Sequence, residues 1–429
     1  MEPRIGRFPR ALAAGVLLGV VAAAIHARAA DMTWLQWGGP NRNFMVEATG
    51  LAERWPAEGP RRLWKRSLGE GHSAIVVDNG RLYTMYRPAG LLSYVRRSQQ
   101  ETVAALDAAS GKTIWEHTYS SPTSGLNLEE GAGPHSTPLI VGNLLFTASS
   151  TSQVFALDKA TGKVVWSHDL VKEFGAAQLD RGYSPSALAY RDMVIFPAGA
   201  PGASVMAFNQ KTGAVVWKGG NFAIGPAAPI LINLDGQEQL VLPGADEIAG
   251  MDPATGTVLW SHPHKTQWGL NISTPVWGAD NLLLVSSAYN NGARLLRLSL
   301  SGGKTKVEEL WYQNRMRVHI GTIIRLGAYA IGSSGDFGPC PTVAIDMKTG
   351  DILWQNREFA RSTFIYADNK LIIMDEDGNM GIAKPTRQGL NVLGKASVLT
   401  NRAWTVPTLA GTALYVRDRQ EIAAFDLGG

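Results

Sequence analysis

The amino-acid sequence predicts an all-β protein, an eight-bladed β-propeller of four-stranded antiparallel blades. Three observations lead to this fold: a tryptophan that recurs at a regular spacing, a turn motif before it, and pairs of strands between the turns. The chain has 429 residues, of which 47 are glycine and 45% are hydrophobic. This composition is typical of a globular protein with a large core and many turns.

Seven tryptophans follow similar short segments, such as "TIWEH" and "VVWSH", and are separated by 51, 51, 51, 43, 51 and 43 residues. A repeat of this length is typical of a propeller or a solenoid. We expect each of these tryptophans to lie on the outer strand of a blade and to dock against the neighbouring blade. The seven are Trp64, Trp115, Trp166, Trp217, Trp260, Trp311 and Trp354.

A turn motif precedes five of these tryptophans, for example "ALDKATGKVVW" at residues 156–166. The Asp can accept hydrogen bonds from the turn backbone, and the glycine supplies the positive φ that a tight turn requires. Between these hairpins lie further strand pairs, such as "STPLIVGNLLFTAS" from Ser136. Two hairpins in each repeat make one four-stranded blade, and the β-branched and aromatic residues argue against a helical solenoid.

The two ends of the chain are expected to close the ring within one blade. The C-terminal "IAAFDLGG" supplies a third strand without a fourth, and "RRLWKRS" near the N-terminus supplies a fourth strand without a third. Residues 61–429 then hold eight blades of about 46 residues each. A degenerate eighth copy of the motif, "GLNVLGKAS", places Val392 or Leu393 where the tryptophan is expected.

The first 29 residues are typical of a cleaved signal peptide, and residues 30–60 form an N-terminal extension. Basic residues up to Arg10 precede an apolar run at residues 11–25, and "ARA" at residues 27–29 suits a peptidase. No cysteine follows the apolar run, which excludes a lipoprotein anchor there. We expect a periplasmic or secreted monomer that is not inserted in a membrane after signal cleavage.

Charge and cysteine content exclude several classes of function. The net charge is +4, but the first 30 residues hold four arginines and one glutamate, so the remainder has 36 basic and 35 acidic residues. This balance gives no electrostatic footprint for nucleic acid. Cys340 is the only cysteine in the sequence, so neither an internal disulfide nor a Cys-x-x-Cys-His haem site can form.

The Ala-Leu-Asp-x-x-Thr-Gly-x-x-x-Trp repeat resembles the docking motif of the pyrroloquinoline-quinone (PQQ) repeat family, the eight-bladed quinoprotein alcohol dehydrogenase-like propellers. The resemblance extends from residue 61 to the C-terminus and implies the same fold. It implies two different functions, because some members are dehydrogenases that use PQQ and calcium. Others, similar to the outer-membrane protein assembly factor propeller, bind no cofactor and hold other proteins.

This chain departs from both groups. The dehydrogenases usually carry adjacent cysteines, and their calcium-binding Glu, Asn and Asp and their catalytic Asp have no matching positions in this sequence. The assembly factor is a lipoprotein, and this chain lacks the lipid-bearing cysteine. Because a fold match does not decide function, the cofactor assignment remains open between none and PQQ with calcium.

In a propeller, the innermost strand of each blade lines a central channel, and the loop before it lies on the top face. The residues just before these strands should therefore surround the mouth of the channel. We expect them to form a pocket for a flat, polar, anionic ligand, with Arg361 pairing with a carboxylate and Trp404 or Tyr183 stacking on a ring. Alternatively, these groups bond loop backbones and channel water. The eight positions are His72, His135, Tyr183, Ile224, Asn271, His319, Arg361 and Trp404.

Other polar residues carry weaker signals. The histidines lie in different blades, and "DEDGN" at residues 375–379 lacks the distal Glu of a calcium loop, so we expect a tight turn and no metal site. Glu129, Glu130 and Asp180 are the nearest candidates for a general base, although loop carboxylates are usually just solvated. The sequence does not decide the roles of Cys340 or of Arg87, Arg96 and Arg97 in a long loop.

These observations favour an exported scaffold that binds a protein or a small molecule on its top face without catalysis. The alternative is a PQQ- and calcium-dependent dehydrogenase of alcohols or sugars. That enzyme would require a pair of carboxylates and an amide that converge at the channel mouth over an aromatic floor. A third hypothesis, a purely structural propeller, predicts a mouth filled by its own side chains.

Overall fold

The computed structural model describes residues 33–89 and 97–429. The predicted signal peptide and Arg96 lie outside these residues. Within them, the strands form eight sheets, which confirms the all-β, eight-bladed propeller. The same residues contain one short helix, α1 (Leu170–Phe174), and none of their helices has the length and apolar character needed to cross a membrane.

Each blade follows the chain from its innermost strand outwards. Blades 1 and 2 contain β3 (Val76–Asp78), β4 (Arg81–Tyr86), β5 (Gln100–Asp107) and β6 (Thr113–Ser120), then β7 (Leu139–Val141), β8 (Leu144–Ala148), β9 (Gln153–Asp158) and β10 (Val164–Asp169). Blades 3 and 4 contain β11 (Leu188–Tyr190), β12 (Met193–Ala200), β13 (Ala203–Asn209) and β14 (Val215–Gly219), then β15 (Ile230–Leu234), β16 (Gln237–Pro243), β17 (Glu247–Met251) and β18 (Val258–Pro263).

The second half of the ring repeats this order. Blades 5 and 6 contain β19 (Val276–Trp277), β20 (Leu282–Ser286), β21 (Ala293–Ser301) and β22 (Lys304–Gln313), then β23 (Ile324–Leu326), β24 (Tyr329–Ser333), β25 (Thr342–Asp346) and β26 (Ile352–Asn356). Blade 7 contains β27 (Ser362–Ala367), β28 (Lys370–Asp375), β29 (Asn379–Pro385) and β30 (Leu390–Ser397). Blade 8 contains β31 (Thr408–Ala410), β32 (Ala413–Arg417), β33 (Glu421–Asp426) and, from the N-terminal side, β2 (Arg61–Ser67).

The ring closes in blade 8, as the sequence predicts. Strand β2 pairs antiparallel with β33, so that Arg61 lies opposite Asp426 and Ser67 lies opposite Glu421. An ion pair of 2.6 Å joins Arg61 to Asp426 at one end of this pairing. Hydrogen bonding between the two ends of the chain removes the open edges that an unclosed ring would leave.

The repeated tryptophans connect one blade to the next. The Trp166 indole N–H donates to the Gln210 carbonyl in the turn of blade 3, at 2.9 Å. The ring lies against Gly213, where a Cβ atom would come within 2.8 Å of it. Gly213 has a φ of +73°, so glycine is required there for both the turn and the contact. Five other tryptophans donate in the same way across blades: Trp64 to Ala108, Trp115 to Lys159, Trp217 to Pro253, Trp311 to Met347 and Trp354 to Thr386.

Trp260 is the exception among the seven. Its indole N–H donates at 2.7 Å to the Gln239 side chain, which belongs to its own blade. The next blade has a long β21–β22 hairpin that turns through Gly302 and Gly303 and lacks the Asp and Thr-Gly motif. Without the motif, the neighbouring blade presents no equivalent turn carbonyl to this tryptophan.

Blade 7 contains the degenerate copy of the motif, which lacks the tryptophan. In the strand register, Gly394 lies opposite Ile382 just after the bulge, which is the position that tryptophan occupies in the other blades. The expectation that Val392 or Leu393 takes this position is therefore wrong, because Val392 pairs with Ala383 on the other side of the bulge. Trp55 from the N-terminal extension packs over Gly394, at 3.4 Å from where a Cβ atom would lie. The extension thus supplies an indole where the repeat lacks one.

The N-terminal extension also crosses the channel. Trp34 forms a backbone bridge with Val77 of blade 1, and the Leu35 carbonyl accepts from the Ile140 N–H of blade 2 at 2.8 Å. Strand β1 (Met45–Val46) then pairs parallel with β27. Blade 7 therefore has five strands, where four were expected, because the extension adds to its inner edge.

Three residues whose roles the sequence left open have structural contacts. The Arg87 side chain is buried, forms an ion pair of 2.8 Å with Glu101, and donates to the Ser121 carbonyl. Arg97 lies 3.5 Å from Glu70. Cys340 is buried, and its thiol donates to the Gly338 carbonyl. In the predicted turn at residues 375–379, the Asp375 carboxylate accepts from the backbone N–H of Asn379.

The inter-blade contact can be tested with Trp166→Ala. Because this indole is buried and its N–H is bonded, we expect the substitution to lower the free energy of unfolding by about 3–5 kcal/mol. Urea unfolding followed by circular dichroism measures the change. Trp268→Ala is the control, since Trp268 is exposed, and should cost about 1 kcal/mol or less. Equal losses in the two variants would show that Trp166 does not hold the blades together.

The turn glycine provides a second, matched pair of variants. Gly202 and Gly213 both have positive φ, at 66° and 73°, but Gly202 has nothing within 4 Å of a built Cβ. Gly202→Ala should lower the free energy of unfolding by about 1–2 kcal/mol, which is the penalty for holding a residue with a side chain in the left-handed backbone conformation. Gly213→Ala should cost roughly 1–3 kcal/mol more, because the methyl group displaces the Trp166 ring. Similar midpoints of urea unfolding for both variants would refute the close contact.

Candidate functional site at the channel mouth

A cavity of about 260 Å³ opens at the mouth of the central channel. Trp37 of the N-terminal extension lines this cavity, and its indole N–H donates to the Thr274 hydroxyl at 2.8 Å. The extension therefore takes part in the site as well as in the fold. Of the eight positions predicted to surround the mouth, five line this cavity: His72, His135, Ile224, His319 and Trp404.

The other three predicted positions make contacts away from the cavity. The buried Tyr183 hydroxyl donates to the Pro197 carbonyl at 2.9 Å. The buried Asn271 amide donates to the carbonyls of Gly244 and His264. Arg361 lies behind Trp404, with its guanidinium 5.5 Å from the ring centre and donating to the Asp336 carbonyl. These three side chains hold loops together, which is the alternative that the sequence left open.

Aromatic rings from several blades form a continuous chain around the mouth. His72 is stacked between His135 and Trp404, with ring centres 5.7 and 5.4 Å away. The series of rings continues with edge-on contacts: the ring centres of Trp404 and His319 are 6.1 Å apart, and those of His319 and Tyr289 are 4.9 Å apart. Contacts of this kind stabilise each ring in one orientation. The mouth is thus a rigid aromatic surface.

Tyr289 is held in an unusual backbone conformation. Its φ is +53°, in the left-handed region, which costs about 1–2 kcal/mol for a residue with a side chain. The Asp336 carboxylate accepts from its N–H at 3.1 Å, and its hydroxyl is hydrogen-bonded to Nε2 of His319. Trp268 packs against the Tyr289 ring at 5.0 Å. Strain of this kind, held by neighbouring blades, is common at functional sites.

Charged side chains lie at the rim of the cavity and are paired. The Arg402 guanidinium is 4.7 Å from the centre of the Trp404 ring and donates to the Glu130 carboxylate at 2.6 Å. The Trp404 indole N–H donates at 2.9 Å to Glu376. Arg181 donates to Glu129 at 3.1 Å. Glu129 and Glu130, two of the candidate general bases, are therefore each held in an ion pair with an arginine.

The three histidines of the cavity are neutral at pH 7. Burial lowers the pKa of His135 to about 4 and the pKa of His319 to about 3. Burial, followed by the proximity of His135 and Arg419, also places the pKa of His72 well below its usual range. Burial disfavours the charged form of an imidazole. These histidines therefore add no charge to the cavity, and the charged residues in its lining are Glu130, Asp180 and Arg181.

Sequence reasoning missed several residues that shape this site. Tyr289 and the exposed Phe337 lie in loops between the second and third strands of their blades, and Trp268 lies in a loop before the innermost strand. Trp37 belongs to the extension, in the segment "WLQWGGPNRN". Inspection of every top-face loop for aromatic residues would have found Tyr289, Phe337 and Trp268. The role of Trp37 has no signal in the sequence.

The residues at the mouth do not fit PQQ held with calcium. Among the described residues, no group of three or more His, Cys, Asp or Glu side chains is arranged to hold a metal ion. The mouth carboxylates Glu130 and Glu376 are bonded to Arg402 and Trp404, and neutral rings surround the cavity. The pair of carboxylates and the amide that a quinoprotein site requires do not converge here. No catalytic step through that cofactor is therefore derived.

Comparison with known proteins identifies the family. The sequence profile described as "Outer membrane protein assembly factor BamB" matches residues 99–320 and 232–427. The chain belongs to this family of PQQ-like repeat propellers. Both groups implied by the repeat motif occur among its relatives, BamB proteins and quinoprotein dehydrogenases, which confirms the resemblance.

The relatives differ in how much of the chain they match. BamB of Moranella endobia is 22% identical over 84% of this chain and 78% of its own length. A quinoprotein ethanol dehydrogenase of Pseudomonas aeruginosa is 31% identical, but over only 32% of this chain and 24% of the enzyme. The match to BamB therefore spans the propeller, whereas the match to the dehydrogenase spans a small part of that enzyme.

Two solved structures show the same fold. BamB from Moraxella catarrhalis has a TM-score of 0.57 at 18% identity and covers 86% of this chain and 99% of its own. The quinohemoprotein alcohol dehydrogenase from Comamonas testosteroni has a TM-score of 0.64 at 12% identity and covers 95% and 82%. At these identities the similarity is one of fold alone, and the site must be judged from its own residues.

The depressed histidine pKa values predict a pH dependence of stability. The unfolded chain binds a proton on His135 near pH 6.5, whereas the folded protein does so only near pH 4. The unfolded state therefore binds more protons in this window, and stability falls as the pH drops from 6.5 towards 4. His135→Gln should reduce this slope by up to about 1.4 kcal/mol per pH unit.

Urea unfolding at pH 7, 6 and 5 measures the slope in the native protein and in His135→Gln. A glutamine amide can still donate to the Arg181 carbonyl, as His135 does at 3.1 Å, so the loop contact is kept. The groups that face His135 are the imidazole of His72 and the guanidinium groups of Arg419, Arg87 and Arg181. An unchanged slope would show that His135 titrates normally in the folded protein.

Proposed function

We propose that this chain is an exported scaffold without catalytic activity that binds other proteins through its top face during the assembly of outer membrane proteins. The observation that carries the proposal is the rigid aromatic surface at the channel mouth. The BamB relatives are named as outer membrane protein assembly factors, and their similarity supports the same function. Export rests on the signal peptide that the sequence predicts.

The chemistry of the top face suits protein binding. Trp268 and Phe337 are 53% and 73% exposed, and both pack against Tyr289. Aromatic residues and arginines are enriched where proteins bind one another, because they combine a large contact area with hydrogen-bonding capacity. Arg402 and Arg181 lie next to this surface, so the mouth combines both residue types. The partner protein itself is not identified by these features.

The dehydrogenase alternative has less support. The sequence match to the quinoprotein ethanol dehydrogenase of Pseudomonas aeruginosa covers a quarter of that enzyme. The mouth carboxylates Glu130 and Glu376 accept hydrogen bonds from Arg402 and Trp404. A small-molecule ligand in the cavity remains a second candidate within the proposal. The anionic ligand that the sequence favoured would meet the carboxylates of Glu130 and Asp180 in the lining as well as Arg181.

The top-face proposal can be tested by photocrosslinking in the native host. p-Benzoylphenylalanine in place of Phe337 should crosslink to a protein that mass spectrometry identifies as an outer membrane protein or one of its assembly factors. The matched control is the same substitution at Val216, which is 49% exposed on the outer strand β14. A crosslink at Val216 but none at Phe337 would contradict binding through the top face.

A further inference from the structure

The size of the cavity limits what can fill it. Its volume of about 260 Å³ lies below the range of roughly 300–1,000 Å³ in which pockets enclose a whole small-molecule ligand. Its walls are mainly rings and aliphatic side chains, among them Trp37, Trp404 and His72. A group the size of one large side chain matches this space and this chemistry.

The aromatic surface continues outside the cavity. Tyr289 lines the cavity, and its ring also contacts Trp268 and Phe337, at 5.0 and 6.3 Å between ring centres. A ligand confined to the cavity would leave Phe337 in water. Exposed aromatic clusters of this kind mark surfaces that other proteins cover. The occupant is therefore larger than the cavity and extends over the top face.

Hydrogen-bonding groups at the opening indicate what the occupant offers. Nη1 of Arg181 is buried and has no hydrogen-bond partner among the described residues. A guanidinium N–H can only donate, so an acceptor oxygen is required opposite it. Nδ1 of His72 and Nδ1 of His319 are likewise unpartnered in the part of the chain described. Backbone carbonyls of an extended segment supply acceptors without bringing a further negative charge next to Glu130 and Asp180, which also line the cavity.

We propose that the cavity binds one large aromatic side chain of a partner protein, carried on an extended segment whose backbone carbonyls face Arg181. This inference rests on the proposed function, because it names how the top face would recognise a protein. The aromatic side chain enters between Trp404 and Tyr289 and reaches towards Trp37. Flanking residues of the same segment cover Trp268 and Phe337.

The test uses the mature protein and two capped peptides, Ac-Ser-Trp-Ser-NH₂ and Ac-Ser-Leu-Ser-NH₂. Saturation-transfer difference NMR detects which peptide protons contact the protein, and a titration gives the dissociation constant. We expect transfer to the indole protons and binding of the tryptophan peptide that is about tenfold tighter than that of the leucine peptide. Equal binding of both peptides would overturn the proposal.

A cavity-filling variant shows where the peptide binds. Ala245 lines the cavity and is partly exposed, so Ala245→Trp fills the space without entering the core. This variant should bind the tryptophan peptide at least about tenfold more weakly, whereas Ala245→Ser should bind it as the native protein does. Unchanged binding by Ala245→Trp would place the peptide elsewhere and refute the proposal. Its melting temperature, measured alongside, shows that it is folded.

Two further outcomes separate this inference from the proposed function. The first outcome concerns PQQ, titrated with and without Ca²⁺. If PQQ binds at micromolar concentration, Ala245→Trp blocks this binding and the peptides do not bind, the cavity is a small-molecule site and the inference fails. If the crosslink at Phe337 persists in Ala245→Trp at native intensity, the scaffold function stands and the inference fails. Loss of the crosslink in Ala245→Trp, but not in Ala245→Ser, supports both.

Discussion

The contact between a tryptophan of one blade and the turn of the next is the interaction on which the structure depends. Each contact combines a buried or partly buried ring with an indole hydrogen bond, and six of the seven tryptophans make it across blades. Because these contacts join most blades to their neighbours, the loops at the channel mouth are held at definite distances. The aromatic chain around the mouth is a consequence of this rigidity.

The N-terminal extension couples the fold to the candidate site. Trp55 packs over Gly394, where the repeat lacks its tryptophan, and β1 adds a strand to blade 7. The same segment places Trp37 in the lining of the cavity. One stretch of chain thus completes the packing of the ring and contributes a side chain to the site.

The chemistry of the mouth distinguishes this chain from the enzymes that share its fold. Its charged groups form pairs at the rim, such as Arg402 with Glu130, and the histidines inside are neutral because burial lowers their pKa. A site of this kind favours uncharged rings and hydrogen-bond acceptors over a metal ion. The propeller provides a rigid frame, and the residues placed on its loops decide what the frame binds.

The repeat, the number of blades and the closure of the ring could be predicted from the sequence, because each depends on local turn chemistry and regular spacing. The candidate site could be predicted only in part. His72, His135, His319 and Trp404 line the cavity as their position before an innermost strand suggests, whereas Tyr183 and Asn271 turn to loop carbonyls. The contributions of Trp37 and Trp55 were decided by the tertiary structure alone. Their positions depend on contacts between blades far apart in the chain, and such contacts leave no local pattern in the sequence.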